Sequence, residues 1–236
     1  MKSHDFYLNL TDKKGREMLF REITSIKDFL LLKLTVLELM ISQWNGSCDI
    51  KTCTFPYLHI DDYSLHRVFI VSNNKIISFG FGFTIQPNSK KIEAFRACKE
   101  KITSRQISEA QSLLALCNGE TLYKEIDYDD LEQTPSEGGI KLFEYLLFEE
   151  SAYIRYDYDE QTKNVIMHPK HHFDICFTPN YSYKIGLLRG IEELEYAKIL
   201  SKKDFCRILN LNSNRLHRGY SSRKQNLKGW KGRKIK

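Results

Sequence analysis

The chain of 236 residues lacks any long apolar run. Its richest stretch, Phe29 to Ile41 (FLLLKLTVLELMI), is interrupted by Lys33, Thr35 and Glu38, which leaves it too short and too polar to span a bilayer. The opening MKSHDFYLNLTDKK carries no apolar centre of the kind a secretion signal needs. These absences set the expectation of a soluble cytoplasmic protein with no membrane partner. A CxxC is also missing: of Cys48, Cys53, Cys98, Cys117, Cys176 and Cys206 only the first two lie close together. Zinc knuckles and ribbons are thereby excluded, and reduced, mostly buried thiols are expected. No GxSxG marks a serine nucleophile and no HExxH frames a zinc on a helix.

Acidic residues are absent beyond Asp204. Residues 201 to 236 hold 12 basic groups against that one acid, net +11, whereas the first 200 hold 24 basic and 29 acidic groups, net −5. Attraction to polyanions is therefore concentrated at one end. With 42% hydrophobic and 12% aromatic residues the chain can bury a core.

Apolar residues recur at helical spacing from Ser25 to Ser42, in a stripe wide enough to be gripped on more than one side. HRVFIVS, Asn73-Asn74 and KIISFGFGFTI predict a strand, a tight turn and a second strand. In SFGFGF the aromatics Phe79, Phe81 and Phe83 share one side of that strand and Gly80 and Gly82 the other, a bare surface for a helix, a second chain or a ligand. Residues 90 to 117 are predicted helical in two pieces. The acidic YKEIDYDDLEQTPSEGG reads as a solvated linker, and Glu137 to Glu150 as an amphipathic helix. Tyr153 to Tyr158, Asn164 to His168, His172 to Thr178 and Tyr183 to Leu187 predict a four-stranded antiparallel meander. Helices over 192–200 and 203–209 follow. The expected fold is α+β: a mixed region 1–120, an acidic linker 121–139, the meander with flanking helices 140–206 and a flexible basic tail 207–236.

HPKHHFDI, residues 168 to 175, packs three histidines and an aspartate into eight positions. Strand alternation puts His172, Asp174 and Cys176 on one side and Phe173 and Ile175 on the core side. Pro169 bends the chain, so His168 and His172 are candidates for a shared partner, with Asp174 one pleat further on. His168, His172 and Asp174 could ligate a divalent metal, or a histidine oriented by a carboxylate could act as a base. Arg155, Asp157 and Lys184 lie on flanking strands and could join them. The alternative is a purely structural polar seam. His171 is expected to be exposed, and nothing singles out His4, His59 or His66.

Tyr156, Asp157, Tyr158 and Asp159, followed by His168, Pro169 and His172, resemble the bacterial family known as domain of unknown function 2290. That family's core runs from an aromatic-Asp-Tyr-Asp strand through an HPxxH segment to a Cys-Arg-Ile-Pro-like strand. Tyr183-Lys184-Ile185-Gly186 stands at the last element, with Lys for Arg and Gly for Pro. The resemblance spans about thirty-five residues and implies no reaction. It implies a setting in phage defence or mobile DNA, and favours His168 and His172 over the other histidines.

The basic end interleaves its cations with Tyr220 and Trp230. Arg215, Arg218, Arg223, Lys224, Lys228, Lys231, Arg233 and Lys234 are the candidate phosphate contacts, and Trp230 a candidate base-stacking residue. The leading expectation is an accessory protein that contacts DNA or RNA through this tail, beside a larger protein partner and without a cofactor. A metal-dependent phosphodiesterase or nuclease centred on His168, His172 and Asp174 is the alternative. A noncatalytic regulator that binds protein through the glycine-aromatic strand is the third.

Overall fold

The computed structural model describes residues 5–43, 53–61, 65–88, 91–97, 100–117, 134–149, 152–161, 168–176, 183–200 and 216–217. Strand β1 (Asp5–Asn9) leads into helices α1 (Lys13–Phe20) and α2 (Ile26–Gln43). Strands β2 (Tyr57–Asp61), β3 (Arg67–Val71) and β4 (Lys75–Gly80) come next. An excursion then holds β5 (Thr84–Asn88), β6 (Lys91–Ala97), β7 (Glu100–Ile102), α3 (Ser104–Leu116) and α4 (Glu137–Phe148). The chain returns with β8 (Ile154–Tyr158), β9 (His171–Ile175), β10 (Tyr183–Leu187), α5 (Glu193–Leu200) and a two-residue β11 (Leu216–His217).

Eight strands form one antiparallel sheet in the order β1-β2-β3-β4-β8-β9-β10-β11, and β5-β6-β7 form a small second sheet. Because β4 pairs with β8, the regions on either side of the acidic segment share a single sheet. The α+β class and the antiparallel meander β8-β9-β10 stand as expected. The four-strand version does not: β8 pairs directly with β9, so no strand stands between them. Most of the segment predicted to run there, and the helix predicted over 203–209, lie outside the described residues.

Four of the five helices, α1 to α4, begin where the sequence supplies a cap. Ser25 and Asp28 bond reciprocally at the start of α2, and Thr103 and Gln106 do so at α3. Asp12 and Ser136 accept from the backbone N–H groups of Gly15 and Gly139 at α1 and α4. Helix α2 is buried nearly all round, which explains its wide stripe: Phe29, Leu30, Leu32, Leu34, Val36, Leu37, Leu39 and Met40 all lie in the core. Its one fully buried cation, Lys33, is matched by Glu149 at 2.6 Å. Among the described residues no helix is long and apolar enough to cross a membrane.

Two expectations need correction. Residues 91–97 and 100–102 are strands, so only the second predicted helical piece, α3, is helical. Antiparallel pairing overrides the local helical spacing, and register sets Phe95 opposite Ile85 and Ile102. The strand through SFGFGF stops at Gly80 and resumes at Thr84. Phe79, Phe81 and Phe83 all lie in the main core cluster, and a helix, α4, packs against Gly82. A Cβ on Gly82 would lie 2.0 Å from Glu149 Oε1 and 2.5 Å from the Tyr145 hydroxyl.

Sheet pairing determines which side chains share a side. Phe6, Leu58, Ile60, Val68, Ile70, Ile77 and Phe79 line one side over β1 to β4, where the core joins the helices. Continuing across β4 to β8, the same side carries Lys75, Arg155 and Asp157. The opposite side packs Tyr57, Phe69, Tyr156 and Phe173 around the fully buried Tyr196 of α5.

Candidate metal centre

Register across β8, β9 and β10 is what assembles the polar group. Asp157 stands directly opposite His172, and Arg155 opposite Asp174, which in turn faces Lys184. Directly opposed Cβ atoms on an antiparallel pair lie about 5 Å apart, so these five side chains are forced together. All three potential ligands are buried: His172 0%, Asp174 8% and Asp157 9% exposed.

His172 Nε2 lies 3.6 Å from Asp157 Oδ2 and 3.9 Å from Asp174 Oδ2. Ligand atoms on an ion with bonds near 2.1 Å stand roughly 3 to 4 Å apart, so the spacing fits a small divalent cation. The imidazole is also set up for it. Its Nδ1 is 2.7 Å from the Pro169 carbonyl, which only accepts, so Nδ1 carries the proton and Nε2 keeps its lone pair towards the carboxylates. Burial depresses the His172 pKa, against the pull of Asp174 and Asp157, which favours this neutral form.

The carboxylates are not free of cations. Arg155 Nε donates to Asp157 Oδ2 at 2.7 Å, and the same guanidinium pairs with Asp174. Lys184 Nζ donates to Asp174 Oδ1 at 2.5 Å and lies 3.3 Å from His172 Nε2. Burial would raise the Asp174 pKa, yet the Lys184 hydrogen bond and the Arg155 charge hold it below the usual carboxylate range. Asp157 Oδ1 differs. Among the described residues it is buried without a hydrogen-bond partner, an arrangement that costs free energy unless something else binds there.

The cluster opens to solvent on one side. A cleft of about 540 Å³ is lined by Asp157 and Arg155 together with Lys75, Asp159, Glu160 and His168.

His172 and Asp174 thus converge as the sequence predicts, and His168 does not join them as a third ligand. His168 Nε2 pairs with Asp159 Oδ2 at 3.2 Å, and its ring packs edge-on against His172 at 4.7 Å. Asp157 takes the third place because pairing sets it opposite His172. Cys176, expected beside Asp174, ends β9 exposed with φ 62°. His171 is also corrected: it is half-buried on the other side of the sheet, 2.9 Å from the Tyr156 hydroxyl and stacked on Tyr158.

A second buried histidine was missed altogether. His59 Nδ1 lies 2.5 Å from Glu193 Oε1, its Nε2 lies 3.6 Å from Asp5, and its ring stacks between Tyr7 and Phe69. The alternation of Tyr57, His59 and Asp61 in YLHID is the signal that could have located it. All nine predicted nucleic-acid contacts, from Arg215 to Lys234, lie outside the described residues. Leu216 and His217 between them pair with Leu187 and Gly186 of β10.

No known protein family, curated protein or solved structure matches the chain.

Proposed function

We propose that this chain is a divalent-metal-dependent phosphodiesterase, with Asp157, His172 and Asp174 as the residues that would hold the ion. The observation that carries this reading is the convergence of one ligand atom each from Asp157, His172 and Asp174, all within 4.8 Å of one another, beside a second Asp157 oxygen, Oδ1, that is buried with no hydrogen-bond partner among the described residues. A bound divalent ion would supply a polarised phosphoryl oxygen and an activated water.

The charges of the chain's own residues point to an anionic substrate. Two carboxylates, two cations and a neutral imidazole leave the cluster close to electrical balance. A dication alone would overcharge it, while a dication arriving with a phosphate would not. Arg155 and Lys184 are the groups positioned to take that phosphate, Arg155 through a planar fork suited to two oxygens. The positive end of the chain, net +11, favours a polymeric phosphodiester such as DNA or RNA over a small monoester.

Mn²⁺ titration of the full chain followed by electron paramagnetic resonance, with and without inorganic phosphate, tests this. About one ion per chain is expected, bound more tightly with phosphate, with Asp157→Asn weakening it roughly 10- to 100-fold and abolishing cleavage of a labelled oligonucleotide. Wild-type protein that binds no Mn²⁺ at millimolar concentration with phosphate present would overturn the reading.

The split in charge supports a second, compatible role for the basic end as a nucleic-acid contact. Removing residues 218–236 spares the pairing of β11 with β10, and should remove most of the salt sensitivity of nucleic-acid binding while leaving the fold intact. Unchanged affinity would end that role.

A further inference from the structure

The hairpin turn between β3 and β4 separates the metal-centre cleft from a second one. That neighbour, about 340 Å³, is lined by Arg16, Phe20, Phe55, Ser72 and the Asn73-Asn74 turn. Asn74 and Lys75 line both clefts, and register sets Lys75 directly opposite Asp157. The wall between them is fixed, because the Asn74 carbonyl accepts from the Tyr158 backbone N–H at 2.8 Å. A ligand that leaves Asp157 along the sheet passes Lys75 and enters the second cleft.

Two features of that cleft select the ligand. Neither Arg16 nor Lys75 is ion-paired with a described residue, although both are half-buried, so two cations line a path without carboxylate partners. Phe55 is 55% exposed, yet its ring is held by stacking on the buried Tyr57 at 5.4 Å and 25°. An exposed aromatic ring already held in place can stack a flat partner at little entropic cost.

We propose that this second cleft is a subsite for single-stranded nucleic acid, in which Phe55 stacks the base next to the scissile phosphate and Lys75 and Arg16 hold the adjoining backbone. It rests on the phosphodiesterase reading for its place beside the chemistry, and on Phe55, Arg16 and Lys75 for binding. A duplex is disfavoured because its bases are already stacked on one another and offer no free surface to Phe55.

Fluorescence anisotropy of a labelled oligothymidylate of about twelve nucleotides, alone and as a duplex with oligodeoxyadenylate, tests this on the full chain in EDTA. Phe55→Ala should weaken single-strand binding about tenfold and leave duplex binding unchanged, and Phe55→Tyr should restore it. Arg16→Ala should reduce the slope of log affinity against log salt by about one. Single-strand affinity unchanged in both Phe55→Ala and Arg16→Ala would overturn the subsite, as would equal weakening on single strand and duplex.

The two readings fail separately. If Asp157→Asn binds single strand with the same Phe55 dependence and wild type never cleaves, the subsite stands and the phosphodiesterase falls. If wild type cleaves and Phe55→Ala cleaves with unchanged KM, the subsite falls alone.

Discussion

His59 and His172 are both buried in one eight-stranded sheet, on opposite sides of it, and their environments drive their charge in opposite directions. Burial disfavours the charged form of each. At His59, the close contact with Glu193 and the nearby charge of Asp5 outweigh burial and raise the pKa to about 9. At His172 burial prevails, and the ring stays neutral. Distance to carboxylate does not explain this, since both rings have two nearby. Compensation does: the carboxylates around His172 are already matched by Arg155 and Lys184, whereas Glu193 and Asp5 face His59 itself. One histidine serves as a charged brace between sheet and α5. The other keeps a lone pair for a ligand. Burial and histidine identity alone separate neither role.

The largest effect is expected from Arg155→Ala, which leaves Asp157 and Asp174 buried with too little positive charge. Urea denaturation should show a loss of about 3 to 5 kcal/mol, part of it recovered by millimolar Mg²⁺ if the carboxylates are ligands. A loss below about 1 kcal/mol would mean that the cluster is solvated and that the contrast with His59 is weaker than drawn.

The brace is tested by pH. Because folding raises the His59 pKa, its contribution is complete below about 6.5, the unfolded value, and is lost as pH rises through about 9. The difference in unfolding free energy between wild type and His59→Ala should therefore shrink by roughly 3 kcal/mol over that window. A difference that grows with pH would contradict a charged His59.

Gly82→Ala probes the apolar half of the sheet against its polar half. The new methyl group would meet Glu149 and Tyr145 of α4, and a cost of about 1 to 3 kcal/mol is expected, read as a lower denaturation midpoint. Neutrality would show that α4 is loosely seated there. The smallest effect belongs to Cys176, whose φ of 62° is left-handed. Cys176→Gly should raise stability by a few tenths to about 1 kcal/mol, seen as a small rise in Tm with Mn²⁺ affinity unchanged.

Local pattern carried far along this chain wherever neighbours in sequence are also neighbours in space. The stripe of α2, the β3–β4 hairpin, the apolar positions of α4 and the in-out alternation of His172, Phe173 and Asp174 all follow from periods of 3.6 or 2. They brought two of the three candidate ligands, His172 and Asp174, onto one side of β9. Pairing between strands lies beyond any such period. A slip of one residue between β8 and β9 would have set Asp157 on the side of Phe173, and only the observed register sets it opposite His172. The same holds for His59, whose partners Asp5 and Glu193 are 54 and 134 positions away, and for residues 91–102, where cross-strand partners overrode a helical spacing. The sequence could say which side of its own strand a residue occupies. Which charge it meets there depended on long-range hydrogen-bond pairing, which the tertiary fold alone supplies.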